Sequence, residues 1–444
     1  MLRSIGNKFR VCNIIPSFYK YQEIRKMSTT TVVEPSVTIN NEDTLKRPCP
    51  DDNNDAVDKI VVDEIKKQKI ERIRKRNFAL MMGYLGKDYY GMQRNPHVRT
   101  IEEDLIGALF KAKLIDDDAF ETIQNANFQR AARTDKGVSA TRQVCSVKLA
   151  EHASVDMINE HLPKEIRVFG LKRVTKGFNC KSQCNARTYT YTLPTFSFAP
   201  DDSELVNNEK WSDEEIEKRI KQLEFIDGKP FTEYRITPEI IDKVNEVLKV
   251  YEGTHNFHNF TARVRPYDPR AQRFIMKFHL KDTHVSNGIE YATLLIKGQS
   301  FMLHQIRKMV AVAIGVVRNI IQIEAMDAFF EAENKMDVPI APSLGLVLNH
   351  VHYDNYNRRY GTDGLHEILE WSELDEQIQK FHMEYISKHI EDTEVNDRSM
   401  LLWLGDLAHH TFGPREDKEN KKEEDEDDND NDDVVDDDKE SAIN

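Results

Sequence analysis

The sequence predicts an α+β fold, and three observations carry this prediction. Arg187–Leu193 (RTYTYTL) is rich in strong β-formers. Phe78–Leu85 (FALMMGYL) is an apolar run of strand length, as expected for a buried strand. Between these two segments, a helical pattern begins at Thr100. Strands mixed with helices of this size are typical of an α+β protein.

The helix predicted after Thr100 has both a start signal and an apolar face. Thr100 followed by Glu103 matches a capping box. Two further strands are predicted after this helix, at Gln143–Leu149 and Arg167–Val174. The apolar residues that share one helical face are Ile101, Leu105, Ala108, Leu109 and Ala112.

A second group of strands and helices follows an inserted segment. Ser197–Pro230 is charged and begins with Pro and Asp residues, which predicts a loop and a short helix. Gly364–Phe412 adds helical material that is rich in Trp, His and Leu. The two groups repeat a sheet-plus-helix scheme without a residue-level repeat. The elements predicted in the second group are helices at Pro238–Tyr251 and Met302–Arg318 and strands at Arg273–Val285, Glu290–Gly298 and Leu344–Val351.

Most of the net negative charge lies in the C-terminal tail, and the rest of the chain is nearly neutral. The chain has 444 residues and a net charge of -14. Residues 415–444 hold 16 acidic and 5 basic residues, a net of -11, so the rest carries -14 minus -11, or -3. A body of this kind can concentrate positive charge in one cleft, as RNA binding requires. The acidic tail is interpreted as a disordered, solubilising segment.

Other bulk features exclude two classes of protein. No apolar run approaches the length of a membrane span, so a membrane protein is not expected. The five cysteines are few and odd in number, which argues against a secreted disulfide framework and for a reducing compartment.

The N-terminal residues carry two candidate targeting signals. The first 26 residues contain six Lys and Arg and one acidic residue, which fits a mitochondrial transit peptide or an ordinary flexible terminus. Met27 is a candidate alternative start. The basic cluster at Lys66–Arg76 fits a nuclear localisation signal, an RNA-contacting arm or a solvated helix start. The predicted location is therefore the nucleus, the mitochondrion or both.

The most informative motif is Arg130–Ala140 (RAARTDKGVSA). It places the carboxylate of Asp135 between Arg133 and Lys136, and neighbouring cations keep a carboxylate ionised by lowering its pKa. Gly137 permits a tight turn, so the carboxylate can project from the end of a loop. An ionised carboxylate on a loop suits nucleophilic or general-base work. Taken alone, the motif is also compatible with a surface salt-bridge loop.

Several collinear motifs resemble those of the TruA family of pseudouridine synthases. Arg133–Ala140 (RTDKGVSA) is similar to the family's catalytic loop, although Ala132 stands in place of a glycine and Ser139 in place of a histidine. The smaller matches are YEGTHNFHNFT and APSLGLVL, and Asn185–Phe198 resembles the eukaryotic branch. The other main matches are YLGKDYYGMQ (84–93), ARTYTY (186–191) and FMLHQIRKMV (301–310).

The resemblance implies a cofactor-free isomerisation of uridine to pseudouridine in RNA. It assigns Asp135 as the essential catalytic residue and Tyr189 as the tyrosine that stacks on the base. It assigns Arg307 as the arginine that pairs with the aspartate. Arg133 is expected to fill the space of a flipped nucleotide and to contact phosphate, because a stacked uridine must be extruded before it reacts.

Other positions are expected to bind RNA or to support the loop rather than to take part in chemistry. Gly86 and Gly91 suit tight turns near a ligand backbone. The residues assigned to this supporting group are Tyr84, Tyr89, Gln93, Lys136 and Lys308.

The resemblance also implies an architecture of two similar sheet-plus-helix halves, side by side around a central basic RNA cleft. The predicted segments are a disordered N-terminal extension (1–76), a catalytic half (77–196), an insertion (197–235), a second half (236–360), a helical extension (361–414) and a disordered acidic tail (415–444).

A metal site is weighed and not favoured. Cys180 and Cys184 are spaced C-x3-C, and His255 and His258 are spaced H-x2-H. Nothing in the sequence links the two pairs, and the family reaction needs no metal. No metal and no cofactor are therefore predicted.

The predicted partner is structured RNA, chiefly tRNA, recognised mostly by shape and backbone charge. Messenger and small nuclear RNA are alternative substrates, and a monomer is slightly favoured. A non-catalytic protein that binds or folds tRNA on the same scaffold is the competing hypothesis. The presence of Asp135, Tyr189 and Arg307 argues against it, because a pure binder does not need that trio.

Overall fold

The computed structural model describes residues 74–200, 212–262 and 264–415. These residues form eleven strands and ten α-helices. The strands are β1 (Lys75–Tyr84), β2 (Gln129–Arg130), β3 (Ser139–Ala150), β4 (Ile166–Arg173), β5 (Ala186–Pro194), β6 (Phe225–Ile226), β7 (Lys229–Pro230), β8 (Gly253–Asn256), β9 (Gln272–Ser286), β10 (Ile289–Gly298) and β11 (Leu346–His352). The helices are α1 (Ile101–Lys111), α2 (Asp117–Glu121), α3 (Val155–Asn159), α4 (Asp213–Leu223), α5 (Pro238–Lys249), α6 (Gln305–Val317), α7 (Asp354–Tyr360), α8 (Asp375–Phe381), α9 (Lys388–Asp397) and α10 (Ser399–Asp406).

One large mixed sheet organises the molecule and confirms the predicted combination of sheet and helices. Its strands follow the order β4-β1-β3-β11-β5-β10-β9-β8, and β2 pairs with β3. Every paired neighbour is antiparallel except β3 and β11, which run parallel. The short strands β6 and β7 form a separate hairpin in the inserted segment.

Strands from the two predicted halves pair with each other within the one sheet. β5 belongs to the segment predicted as the N-terminal half, but it pairs with β10 and β11 from the second half. β11 reaches back to pair with β3 through Val347 and Ser139. The pairing of strands depends on which face of each strand is buried and on the register of the hydrogen bonds, and strands that are distant in sequence can therefore be neighbours.

Helix α1 begins where its start signal predicts. The Thr100 hydroxyl accepts a hydrogen bond from the Glu103 N–H at 3.3 Å. The other half of the predicted capping box is replaced, because the Glu103 carboxylate pairs with the Arg94 guanidinium. The predicted apolar face is confirmed, since Ile101, Leu105, Ala108, Leu109 and Ala112 are all buried.

The first part of the C-terminal extension packs on the β4 side of the sheet. Trp371 is buried against the Gly170 backbone, where an added Cβ would lie 2.6 Å from the indole ring. Phe381, at the end of α8, meets Phe169 edge to face, with ring centroids 5.5 Å apart. A π-helical stretch at His382–Ser387 joins α8 to α9.

Within the described ranges, no helix is long and apolar enough to cross a bilayer.

Candidate active site

The loop that carries Asp135 leads into an inner strand of the sheet. Residues 131–138 connect β2 to β3, and β3 lies between β1 and β11. Asp135 is half-buried, whereas the flanking Arg133 and Lys136 are exposed. Gly137 has a φ of 76°, a conformation that glycine adopts without strain. The loop therefore carries a half-buried carboxylate, flanked in sequence by two exposed cations, at the start of β3.

The sheet register brings Tyr189 close to this loop. Leu348 of β11 pairs with Ala140 on one side and with Tyr189 on the other. Paired residues share a face, and neighbouring strands lie about 4.8 Å apart, so Tyr189 stands roughly 10 Å across the sheet from the start of β3. The phenol ring packs edge to face on Phe301, with centroids 5.3 Å apart.

Tyr189 is held as a neutral phenol. Its side chain is 7% exposed. Burial raises its pKa above the ordinary value, and the negative charge of Asp135 raises it further, while Arg187 opposes the rise. Two of the predicted site residues are therefore electrostatic neighbours, and Tyr189 keeps a proton that it can donate.

A buried amide fixes the backbone that leads to Asp135. The Gln143 side chain donates to the Ala132 carbonyl at 2.7 Å and accepts from the Ala132 N–H at 3.2 Å. Tyr84 is fully buried, and its hydroxyl shares a hydrogen bond of 2.7 Å with the Thr134 hydroxyl. Gln143 was not among the predicted site residues, because nothing in a strand sequence tells which loop an inward polar residue will meet.

The Gly86–Gly91 turn packs directly on the same loop. A Cβ on Gly86 would lie 2.5 Å from the carbonyl carbon of Val138, and one on Gly91 would lie 2.8 Å from the Thr134 oxygen. The Gly86 N–H donates to the Ser139 hydroxyl at 2.9 Å. Ser139, which departs from the family histidine, therefore provides an acceptor for this turn.

Tyr89 and Lys136 occupy different environments. The Tyr89 hydroxyl donates to Asp104 at 2.7 Å, and the Arg99 guanidinium lies over its ring. Tyr89 thus ties its turn to helix α1 and is itself buried. The exposed Lys136 ammonium lies 4.4 Å from the centroid of the Tyr90 ring. Gln93, in the same turn region, is half-buried.

Helix α6 places Arg307 and Lys308 in contrasting positions. The Arg307 Nε donates to the Ala341 carbonyl at 2.7 Å, and its charge acts on Tyr191, two residues beyond Tyr189. Lys308 is buried, and its ammonium lies 3.4 Å from the carbonyls of Asn259 and Thr261. Burial and the charge of Arg415 lower the pKa of Lys308 to about 8. The pairing of Arg307 with Asp135 stays a prediction.

The metal-ligand pairs considered from the sequence lie in ordinary hydrogen-bonded settings. The Cys184 thiol donates to the Ala186 carbonyl, and the Cys180 N–H donates to Ser146. His255 and His258 bond the backbone oxygens of Glu252 and Asn334. Among the residues that the structure describes, no group of three or more His, Cys, Asp or Glu is arranged to hold a metal ion.

Comparison of the sequence with known proteins identifies the family of this chain. A family model described as tRNA pseudouridine synthase matches residues 247–354. Pseudouridylate synthase 1 homolog of Mus musculus is 44% identical over 345 residues, which cover 77% of this chain and 76% of the mouse protein. The Homo sapiens protein of the same name is 43% identical over 338 residues, covering 75% of this chain and 73% of that protein.

A fungal relative agrees with the two mammalian proteins. The tRNA pseudouridine synthase 1 of Saccharomyces cerevisiae is 33% identical over 366 residues, which cover 70% of this chain and 67% of the yeast protein. The matches span most of the chain, which confirms the family predicted from the motifs. This chain belongs to the TruA-type family of tRNA pseudouridine synthases.

Proposed function

We propose that this synthase isomerises uridines of tRNA with Asp135 as its catalytic carboxylate. In the reaction, the bond between uracil N1 and ribose C1′ breaks, and a bond between C5 and C1′ forms. C5 loses its proton and N1 gains one, so no oxidant, reductant or cofactor is consumed. The observation that carries the proposal is the half-buried Asp135 on the loop that leads into β3, whose charge acts on the buried phenol of Tyr189.

Asp135 has the setting that each possible route requires. Attack on the base, attack on ribose C1′ and abstraction of a ribose proton all need an ionised carboxylate that reaches the nucleotide. Asp135 lies half-buried on a loop, and the exposed Arg133 and Lys136 flank it in sequence. The hydrogen bonds of Gln143 and Tyr84 hold the loop before substrate arrives, which lowers the cost of reaching a productive geometry.

Tyr189, Arg133 and Arg307 are assigned complementary roles. The Tyr189 ring offers an aromatic face to the uracil and a hydroxyl proton at its edge. Arg133, which is exposed, is assigned to occupy the gap left by the flipped nucleotide and to contact phosphate. Arg307, anchored through Ala341, is assigned to pair with Asp135.

The substrate is proposed to be tRNA, in keeping with the names of the fungal relatives. We propose that the RNA lies in a basic cleft between two sheet-plus-helix parts, and that a monomer binds it. The mouse and human relatives are named only as pseudouridylate synthases, so messenger and small nuclear RNA are tested beside tRNA.

Location in the nucleus, the mitochondrion or both is also a proposal. It rests on the composition of the first 26 residues and of the Lys66–Arg76 cluster. The first 26 residues lie outside the described part of the chain, as does most of the cluster, whose last two residues begin β1.

The proposal is tested by converting unmodified tRNA transcripts with the wild-type protein and with Asp135→Asn. Pseudouridine is mapped by chemical derivatisation, and tRNA affinity is measured by filter binding. We expect Asp135→Asn to lose at least about 10³-fold in single-turnover rate, since removal of a catalytic group costs this much or more. Its affinity for tRNA should stay within about threefold, because one side chain of similar shape is exchanged. Asp156→Asn, at an exposed position on α3, is the matched control and should react normally.

The three possible outcomes are distinct. Aspartate-dependent conversion establishes the catalytic role and names the target positions. Turnover that survives in Asp135→Asn contradicts the assignment. Tight binding by the wild-type protein without conversion of tRNA, messenger or small nuclear RNA would favour the scaffold without catalysis.

A further inference from the structure

We propose that Arg187 is a positioning residue for the isomerisation, which holds the Asp135 loop against the segment that leads to Phe301 and Arg307. The inference rests on the proposed catalytic role of Asp135. Arg187 lies on β5, two residues before Tyr189, so both side chains leave the strand on the same face. Strand β5 thus carries both Tyr189, the proposed aromatic residue of the site, and Arg187, which bonds the loop that leads to Asp135.

The guanidinium of Arg187 bridges two backbone segments. Its Nε and Nη2 both donate to the Ala131 carbonyl, at 2.9 and 2.6 Å. Its Nη1 donates to the Gln299 carbonyl at 2.9 Å. Ala131 opens the loop that leads to Asp135, and Gln299 stands just before Phe301. The three bonds therefore fix the distance between the carboxylate loop and the ring that supports Tyr189.

Only a guanidinium fits this arrangement. Its planar fork presents several N–H groups in fixed directions, which lets one side chain hold two carbonyls that lie on different segments. A lysine at position 187 would offer a single nitrogen on a flexible stem and could not reproduce the three bonds. The acceptors are backbone oxygens of the site itself, so the loss of Arg187 removes a geometric constraint close to the reacting groups.

The charge of Arg187 also reaches the site. It lowers the pKa of the Tyr189 phenol and so opposes the effects of burial and of Asp135. Gln143 fixes Ala132 from the β3 side, while Arg187 fixes the adjacent Ala131 from the β5 side. Arg187 therefore links β5 to the loop that precedes β3.

The experiment compares Arg187→Lys and Arg187→Ala with wild type in the full chain. Single-turnover conversion of tRNA is measured at saturating enzyme, and the Kd for tRNA is measured by filter binding. We expect the rate to fall by about 10- to 100-fold in both variants, because misplacement by about 1 Å costs up to about 100-fold. The Kd should change by less than about threefold. Added guanidinium ion should restore part of the rate of Arg187→Ala and none of the rate of Asp135→Ala.

Arg167→Ala is the matched control. The Arg167 guanidinium also donates to backbone carbonyls, those of Leu162, Pro163 and Ile166, but it lies on β4 at the far edge of the sheet. Its removal should lower the melting temperature and leave the single-turnover rate unchanged. A fall in rate that is confined to the Arg187 variants separates positioning from general destabilisation.

Two results would overturn the inference. The first is a wild-type single-turnover rate in Arg187→Ala or, if that variant does not fold, in Arg187→Lys assayed well below its melting temperature. The second is a weaker Kd with an unchanged rate, which would make Arg187 an RNA contact. Either result leaves the role of Asp135 intact, whereas turnover in Asp135→Asn refutes that role independently.

Discussion

Glu394 is a buried carboxylate whose burial should reduce stability near neutral pH. It lies on α9 and is 5% exposed, and one carboxylate oxygen accepts a hydrogen bond from the Met400 N–H at 3.0 Å. Burial, with a smaller contribution from Asp397, raises its pKa to about 7 from 4.5. We predict that Glu394→Gln stabilises the protein, because glutamine keeps the acceptor and carries no charge.

The magnitude follows from the shift in pKa. A difference of about 2.5 units at about 1.4 kcal/mol per unit corresponds to a penalty of about 3 kcal/mol when the group is ionised. The folded-state pKa lies above the unfolded value, so the folded state binds this proton more tightly. The contribution of the group is therefore fully favourable below about pH 4.5 and is lost as the pH rises from 4.5 to about 7. Glu394→Gln should gain up to about 3 kcal/mol at about pH 8 and much less at about pH 5.

Urea unfolding followed by circular dichroism, at about pH 5 and about pH 8, measures this difference. Glu376→Gln, at an exposed position on α8, is the control and should be nearly neutral at both pH values. Equal stabilisation by Glu394→Gln at both pH values would refute the reasoning, since the gain would then not come from ionisation. No gain at about pH 8 would also refute it.

Two further predictions concern the neighbourhood of the site. Burial lowers the pKa of Lys308 to about 8 from 10.5, so the charged ammonium destabilises the folded state below about pH 8. This destabilisation is lost as the pH rises from about 8 to 10.5, so the free energy of unfolding of the wild type should increase over that range. Lys308→Met should abolish the increase, which chemical unfolding measures. Gly86→Ala should destabilise by about 1–3 kcal/mol or more and lower the rate, because the Val138 backbone cannot give way, whereas Gly177→Ala has open space and should be neutral in melting temperature and turnover.

Local patterns predicted most of the secondary structure, for reasons that the structure makes clear. The helix predicted at Pro238–Tyr251 is α5, which begins at Pro238 with the Thr237 hydroxyl accepting from the Ile240 N–H at 3.4 Å. Caps and apolar faces act within a few residues, so they are legible in sequence. The β6–β7 hairpin was not predicted, because two-residue strands leave no periodic signal.

The site was predicted only in part. Asp135, Tyr189 and their motifs are visible in the sequence, and the structure places these two residues as electrostatic neighbours. The hydrogen bonds of Gln143 to Ala132 and of Arg187 to Gln299 were not predicted, because the partners are backbone groups of distant segments. Spacing along the chain predicts side chains on one element, whereas such contacts depend on how the strands are ordered in the sheet.

The position of β11 has a consequence for how the protein is made. β11 separates β3 from β5, and the Thr141 hydroxyl donates to the Leu348 carbonyl across 207 residues of sequence. Until β11 emerges from the ribosome, β3 and β5 each lack a neighbour, and both present open edges to other chains. Contacts between residues so far apart in the sequence are slow to form, so the proposed site around Asp135 should assemble late in synthesis. A chain that ends before Leu346 should therefore aggregate instead of folding into a smaller synthase.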